Sequence, residues 1–171
     1  MIYLVRHGQT DWNLQGINQG RKDIELNKTG IEQAETLANK LKNVKFDAVL
    51  SSPLKRTIKT AQIICQDNII IDDRLIERSN GELEGRKNTK DIIDFTDPKD
   101  VRYGIEPLPE FRKRIKDFWD EVLKKYVNKN VLIVTHAGVT MYSQAYLKGE
   151  FGYADYTSYK LENGEVLEIP N

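Results

Sequence analysis

The chain has 171 residues, a length for one domain that buries roughly 70% of the surface its unfolded form exposes. Hydrophobic residues make up 39% and charged residues 30%, with 26 basic and 26 acidic side chains and no net charge, which gives no global case for nucleic-acid or membrane binding. No apolar run reaches the roughly 20 residues that cross a bilayer, and the single cysteine, Cys65, lacks a partner for an internal disulfide. With no charged leader ahead of an apolar stretch, a cytoplasmic location is expected. Cys65 ends the apolar stretch "TAQIIC" and reads as an inert core thiol.

The first element, "MIYLV", is too short for a helix, and its branched and aromatic residues suit a buried strand. Residues 8–26 are polar and glycine-bearing and read as an ordered loop. Asn27 is placed to cap a helix over about 28–42, where Ile31, Ala34, Leu37, Ala38 and Leu41 share one face. "FDAVL" (46–50) is a second strand. Ser52-Pro53 then predicts a helix start, with serine as cap and proline at the first helical position. "NIIID" (68–72) is the third strand. From 78 to 109 the periodicity fails among glycines, prolines and charges, which predicts an insertion acting as a lid. An amphipathic helix follows over about 109–127, with Phe111, Ile115, Phe118, Trp119 and Val122 as its core face, and its basic run "FRKRIK" reads as a solvated face. "NVLIVT" (130–135) is the fourth strand and 137–147 a helix. Alternation on both sides of Asn163-Gly164 in "YTSYKLENGEVLEI" predicts a terminal hairpin. Its outer strand would either close the sheet or pair with a second subunit, so monomer and homodimer both stay open.

Strands alternating with helices predict an α/β three-layer sandwich with a mostly parallel central sheet, in one domain spanning 1–171. Ligands in such sheets sit beyond the carboxyl ends of the strands. Both histidines of the chain lie there, His7 after the first strand and His136 after the fourth. Arg6 precedes His7. Gly8 and Gly138 lack side chains, so backbone N–H groups beside them, including that of Ala137, can approach a ligand. Arg56 falls in the first turn of the helix after Ser52, where a basic side chain gains nothing from the helix dipole unless an anion is shared.

Two guanidiniums, two imidazoles and free backbone amides make an anion site, and phosphate is the natural fit. An unprotonated imidazole beside phosphorus can accept the phosphoryl group and pass it on. The arginines would stabilise the oxygens and disfavour the imidazolium of His7. An acid for the leaving oxygen is still needed, and "RLIERSNGELEGR" offers Glu77, Glu82 and Glu84.

The segments "LVRHGQTDWN", "LNKTGIEQA", "LSSPLKRTIKTA", "LIERSNGELEG" and "LIVTHAGV" together resemble the histidine phosphatase superfamily, of phosphoglycerate-mutase-like fold, in the family's order and across nearly the whole chain. The resemblance implies that His7 is phosphorylated, that Arg6, Arg56 and His136 complete the phosphate pocket, and that Glu77 is the acid/base. Glu82 and Glu84 then become a charged turn. Asn13 and Gln19, and with them Thr10, match polar residues of the loop that touch phosphate or substrate. Two departures stand out. Pro107 follows Glu106 where the family has serine, so the next helix is capped differently. Asn80 stands where an aromatic or aliphatic residue is more common, which makes that wall polar.

The leading expectation is a metal-independent phosphomonoesterase acting on a small phosphate ester without a cofactor. Two histidines and no cysteine pair do not make a zinc site. The alternatives are a mutase-type phosphoryl transfer, a protein-phosphohistidine phosphatase, and a binding module without turnover. Lys22, Arg86, Lys87 and Arg102 read as surface charge, although any of them could meet a second anionic group of the substrate.

Overall fold

A computed structural model describes residues 1–171 apart from 67, 90, 91, 93, 96, 98 and 151–156. Ten regular elements follow in order among the described residues: β1 (Ile2–Arg6), α1 (Asp11–Leu14), α2 (Lys28–Leu41), β2 (Ala48–Ser51), α3 (Lys55–Ile64), β3 (Ile69–Ile71), α4 (Leu108–Lys125), β4 (Val131–Thr135), α5 (Ala137–Leu147) and β5 (Val166–Ile169). The sheet order is β3-β2-β4-β1-β5, with β5 antiparallel to β1 and the other pairs parallel.

The period of two along β1 and β4 builds the three layers. Ile2, Leu4, Val131 and Ile133 pack against Phe111, Ile115, Phe118, Trp119 and Val122 of α4 and against Val139, Tyr142 and Ala145 of α5. Tyr3, Val5, Leu132 and Val134 face the other way, against Leu37 and Leu41 of α2 and Ala61 of α3. Both strands are buried along their full length, as covering helices on both faces require. The parallel register pairs Arg6 with Thr135. The residues that follow, His7 and His136, are thereby set side by side.

Three expectations need correcting. First, the loop after His7 contains α1, closed by a reciprocal capping box between Thr10 and Asn13. Second, α3 begins at Lys55 after Leu54, with no side-chain cap and with Pro53 outside the helix. Ser52 does not cap it because its hydroxyl is bonded to His136 (2.7 Å) and only distantly to the Leu54 N–H (3.4 Å). Third, the terminal segment is not a hairpin. Thr157–Tyr159 forms a turn of 3-10 helix, residue 156 lies outside the described residues, and only β5 is a strand. The free edge of β1 takes β5 as its partner, and the Asn163-Gly164 turn docks on the end of β1 instead of joining two paired arms. The expectation for α4 holds: Pro107 is its cap residue and makes no side-chain cap bond.

Asn27 does cap α2, accepting from the Gly30 N–H at 2.9 Å. The predicted lid at 78–109 includes 90, 91, 93, 96 and 98, which lie outside the described residues. Its described part holds short 3-10 turns at Gly81–Leu83 and Arg102–Gly104, with Leu83 and Ile105 buried against Ile92, Phe95 and Tyr103.

The loop after β1 crosses the start of α2 at two glycines. A Cβ on Gly8 would overlap the Gly30 carbonyl, and one on Gly30 would overlap the Gln9 backbone. Glycine to alanine inside a helix ordinarily stabilises by about 1 kcal/mol. Here Gly30→Ala and Gly8→Ala should each destabilise, by about 1–3 kcal/mol, because backbone rather than a movable side chain is in the way. Urea unfolding at constant slope measures the sign.

Candidate active site

His7 is 3% exposed, and its ring is oriented by its own chain. Its Nδ1 lies 2.7 Å from the Gly8 carbonyl oxygen. A carbonyl only accepts, so Nδ1 carries the hydrogen and the lone pair is left on Nε2. Arg56 Nε donates to that Nε2 at 3.3 Å. Burial, reinforced by the charges of Arg56 and Arg6, holds the His7 pKa well below 6.5, against the smaller upward pull of the Gly8 bond. The ring is neutral at neutral pH, with a nucleophilic nitrogen facing a guanidinium.

The His136 ring meets that of His7 edge to face, 5.2 Å between centroids. Its Nε2 is bonded to the Ser52 hydroxyl, while its buried Nδ1 has no partner. Burial first, and Arg56 next, push its pKa well below 6.5 too.

Among the described residues, neither buried guanidinium, that of Arg6 or that of Arg56, has a carboxylate oxygen closer than 3.9 Å. Arg56 donates from Nη1 to the Lys22 carbonyl (2.7 Å) and from Nη2 to the Gly20 carbonyl (2.8 Å). Desolvation lowers its pKa to about 10, which leaves it charged at neutral pH. Arg6 donates from Nη1 to the Leu161 carbonyl at 2.7 Å, its Nε is buried without a partner, and its nearest carboxylate is that of solvent-exposed Glu162, 3.9 Å away. Burial lowers its pKa as well. Buried cations whose shortest bonds go to main-chain carbonyls leave a site of positive potential suited to an anion.

Glu77 stands across the pocket. Its Oε2 accepts from the Gly138 N–H (3.1 Å) and its Oε1 from the Arg78 N–H (2.9 Å). A Cβ on Gly138 would come within 2.5 Å of the Glu77 carboxylate, so this glycine makes room for the acid. The Glu77 main chain is clamped from behind, where Arg21 Nε and Arg114 Nη2 donate to its carbonyl. Glu106 ties those arginines together. It accepts two bonds from Arg114 (2.8 and 2.9 Å) and pairs with Arg21 at 3.1 Å.

These groups surround a pocket of about 170 Å³. Of the residues singled out in the sequence, Arg6, His7, Asn13, Gln19, Arg56, Glu77 and Ala137 line it. His136 stands beside His7. The other three lie one layer out. The Gly8 N–H is bonded to Thr60 (3.1 Å) and its missing side chain serves the Gly30 crossing; Gly138 seats Glu77; and Thr10 orients its neighbours. The Thr10 N–H holds the Asn13 oxygen (3.1 Å) and its hydroxyl donates to the Gln19 oxygen (2.9 Å), so both amides keep N–H₂ donors for the pocket. Lys22, Arg86, Lys87 and Arg102 are exposed and do not line it.

Several residues went unrecognised in the sequence. Ile17, Asn18 and Gly20 join Asn80 in the pocket wall, where Asn80 Nδ2 donates to Asn18 Oδ1 at 2.7 Å. Glu84, read as a charged turn, accepts from the N–H groups of Arg21 (2.9 Å) and Asn80 (3.1 Å), fastening that wall to the loop that holds Arg56. No pattern signals Glu84, because its partners are main-chain N–H groups, one of them 63 residues away. The wall's polarity was legible from Asn80.

Comparison with known proteins gives the family and the fold. The profile of the histidine phosphatase superfamily (branch 1) matches residues 2–170. The uncharacterized phosphatase PhoE of Bacillus subtilis is 39% identical over 79% of this chain and 70% of its own length. The phosphoglycerate mutase-like protein 4 of Arabidopsis thaliana is 34% identical over 84% of this chain and 70% of its own. The crystal structure of phosphoserine phosphatase from Entamoeba histolytica in complex with 3-phosphoglyceric acid superposes with a TM-score of 0.81 at 29% identity, over 96% of this chain and 87% of the other. By its fold, its paired histidines and the match along nearly its entire length, the chain belongs to the histidine phosphatase superfamily, branch 1.

Proposed function

We propose that this enzyme is a metal-independent phosphomonoesterase that hydrolyses a small phosphorylated metabolite through phosphorylated His7. The observation that carries the reading is the His7 ring: neutral, locked with its lone pair on Nε2, and facing Arg56 in a pocket whose two guanidiniums are bonded to main-chain carbonyls.

The ester's phosphoryl oxygens sit among Arg6, Arg56 and the N–H₂ groups of Asn13 and Gln19, which meet the charge that builds in the transition state. His136 flanks the cradle. Nε2 of His7 attacks phosphorus, and the bond to the ester oxygen breaks as Glu77 gives that oxygen its proton. The alcohol leaves. Water then attacks the phosphohistidine, Glu77 takes the water's proton, the P–N bond breaks, and inorganic phosphate departs with His7 neutral again. The small pocket and its amide-lined wall suit a compact polar alcohol part. The phosphoserine named for the Entamoeba histolytica relative is of that kind. A mutase would return the phosphoryl group to a second ester instead of to water.

Phosphate release from a panel of monoesters, measured with a chelator present, tests the reading. Wild type should release phosphate, and His7→Ala should lose at least about 10³-fold in kcat/KM. Glu77→Gln should lose about 10²–10⁴-fold on alkyl phosphates and far less on p-nitrophenyl phosphate, whose leaving group needs no proton. Dependence on an added metal, or full activity of His7→Ala, would reject the mechanism; transfer to a second ester without phosphate release would favour the mutase.

The electrostatics give a separate expectation. Both imidazole midpoints are depressed in the folded protein and ordinary in the unfolded chain. The unfolded chain therefore takes up protons first, and stability falls as pH drops below about 6.5 toward the depressed folded midpoints. NMR titration should find both rings still neutral at pH 6.5, and Arg56→Gln should move the His7 midpoint upward by removing a neighbouring positive charge.

A further inference from the structure

We propose that Asn163 is a positioning residue, whose side-chain amide fixes at once the ring tautomer of His7 and the direction of the Asn13 amide. The kinetic arm of this inference rests on the phosphatase reading; the structural arm does not.

The turn at Asn163-Gly164 is explained in part by Gly164, whose φ is +71° and whose N–H reaches the carbonyls of Arg6 (3.1 Å) and His7 (3.2 Å). That leaves the Asn163 side chain unexplained. Its Nδ2 donates to the His7 carbonyl at 3.0 Å and lies 3.4 Å from the Gly8 carbonyl and 3.3 Å from Asn13 Oδ1. Two of these partners are main-chain carbonyls, which can only accept, so the N–H₂ end of Asn163 must face them.

The same reasoning fixes Asn13. The Thr10 N–H can only donate, and it reaches Asn13 Oδ1. Asn13 is thus held by its oxygen, between Thr10 and Asn163, and its N–H₂ is the end left for the pocket it lines. The Gly8 carbonyl, for its part, is the acceptor for Nδ1–H of His7 at 2.7 Å. Holding the His7 and Gly8 carbonyls from the far side keeps that acceptor in place, and with it the lone pair on Nε2. The turn is anchored at its other end by Arg6, whose Nη1 donates to the Leu161 carbonyl. A segment more than 150 residues distant in sequence thereby closes the nucleophile loop from behind.

Two variants test this. Asn163→Ala removes the amide, and Asn163→Asp keeps its outline while deleting both donors. In wild type, ¹⁵N NMR of the His7 ring should show one tautomer with hydrogen on Nδ1. In each variant it should show a mixture with hydrogen on Nε2, and kcat/KM for phosphate release should fall about 10- to 100-fold. A folded variant with the wild-type tautomer overturns the proposal, whether its rate is unchanged or reduced, since a loss of rate without a tautomer change is merely structural. Should wild type release no phosphate from any ester, the function fails while the NMR comparison still decides this inference. Should neither variant fold, exchange of the Asn163 side-chain amide hydrogens in wild type decides it: slow exchange supports the bonds to the carbonyls, and free exchange contradicts them.

Discussion

Buried positive charge held chiefly by main-chain carbonyls is the constraint around which this site is organised. Ordinary arginines of the chain are paired. Arg74 meets Asp72, Arg102 meets Asp100 and Arg114 meets Glu106, and the first two have pKa values raised by their carboxylates. Arg6 and Arg56 are treated differently. Their close partners are the carbonyls of Leu161, Gly20 and Lys22, and burial lowers their pKa values. Arg78 shares the carbonyl-bound pattern, on Glu106 and Phe95, but it is not among the residues that line the pocket. Carbonyl dipoles orient a guanidinium without cancelling its charge, and so leave that charge for a ligand.

Burial and the same positive field set the state of the histidines. Burial is the larger cause that lowers the pKa of both rings, and the charge of Arg56 adds to it, so both imidazoles are neutral at neutral pH. The Gly8 carbonyl selects which nitrogen carries the lone pair, and Ser52 holds the other ring. Glu77 lies on the opposite wall, braced by Gly138, Arg78 and the clamp built on Glu106. Glu77 and His7 thus belong to separate elements, each held by main-chain bonds.

The sheet and the cradle were legible because short buried strands and amphipathic helices announce themselves by periodicity. β1, β4, α2, α4 and α5 lie within a few residues of their predicted limits. Both histidines could be placed at strand ends for the same reason. What sequence reasoning missed lies mostly in side-chain bonds to groups brought close only by the fold. Ser52 looked like a helix cap and instead holds His136, because its place beside β4 could not be read locally. Glu84 looked like surface charge and instead fastens Arg21 and Asn80. Asn163-Gly164 carried the strongest local hairpin signal, yet the free edge of β1 competed for the outgoing strand and won. Gly8 was correctly singled out, but for a ligand's approach; the crossing with Gly30 is what requires it.

The central claim is that His7 takes the phosphoryl group onto itself. Rapid mixing with a ³²P-labelled ester that turns over, quenched in base during the first turnovers and followed by peptide mapping, tests it most directly. The account predicts a base-stable, acid-labile label on the peptide carrying His7, forming before steady-state phosphate release and absent in His7→Ala. Phosphate release with no labelled protein, or a label on another residue, would contradict it.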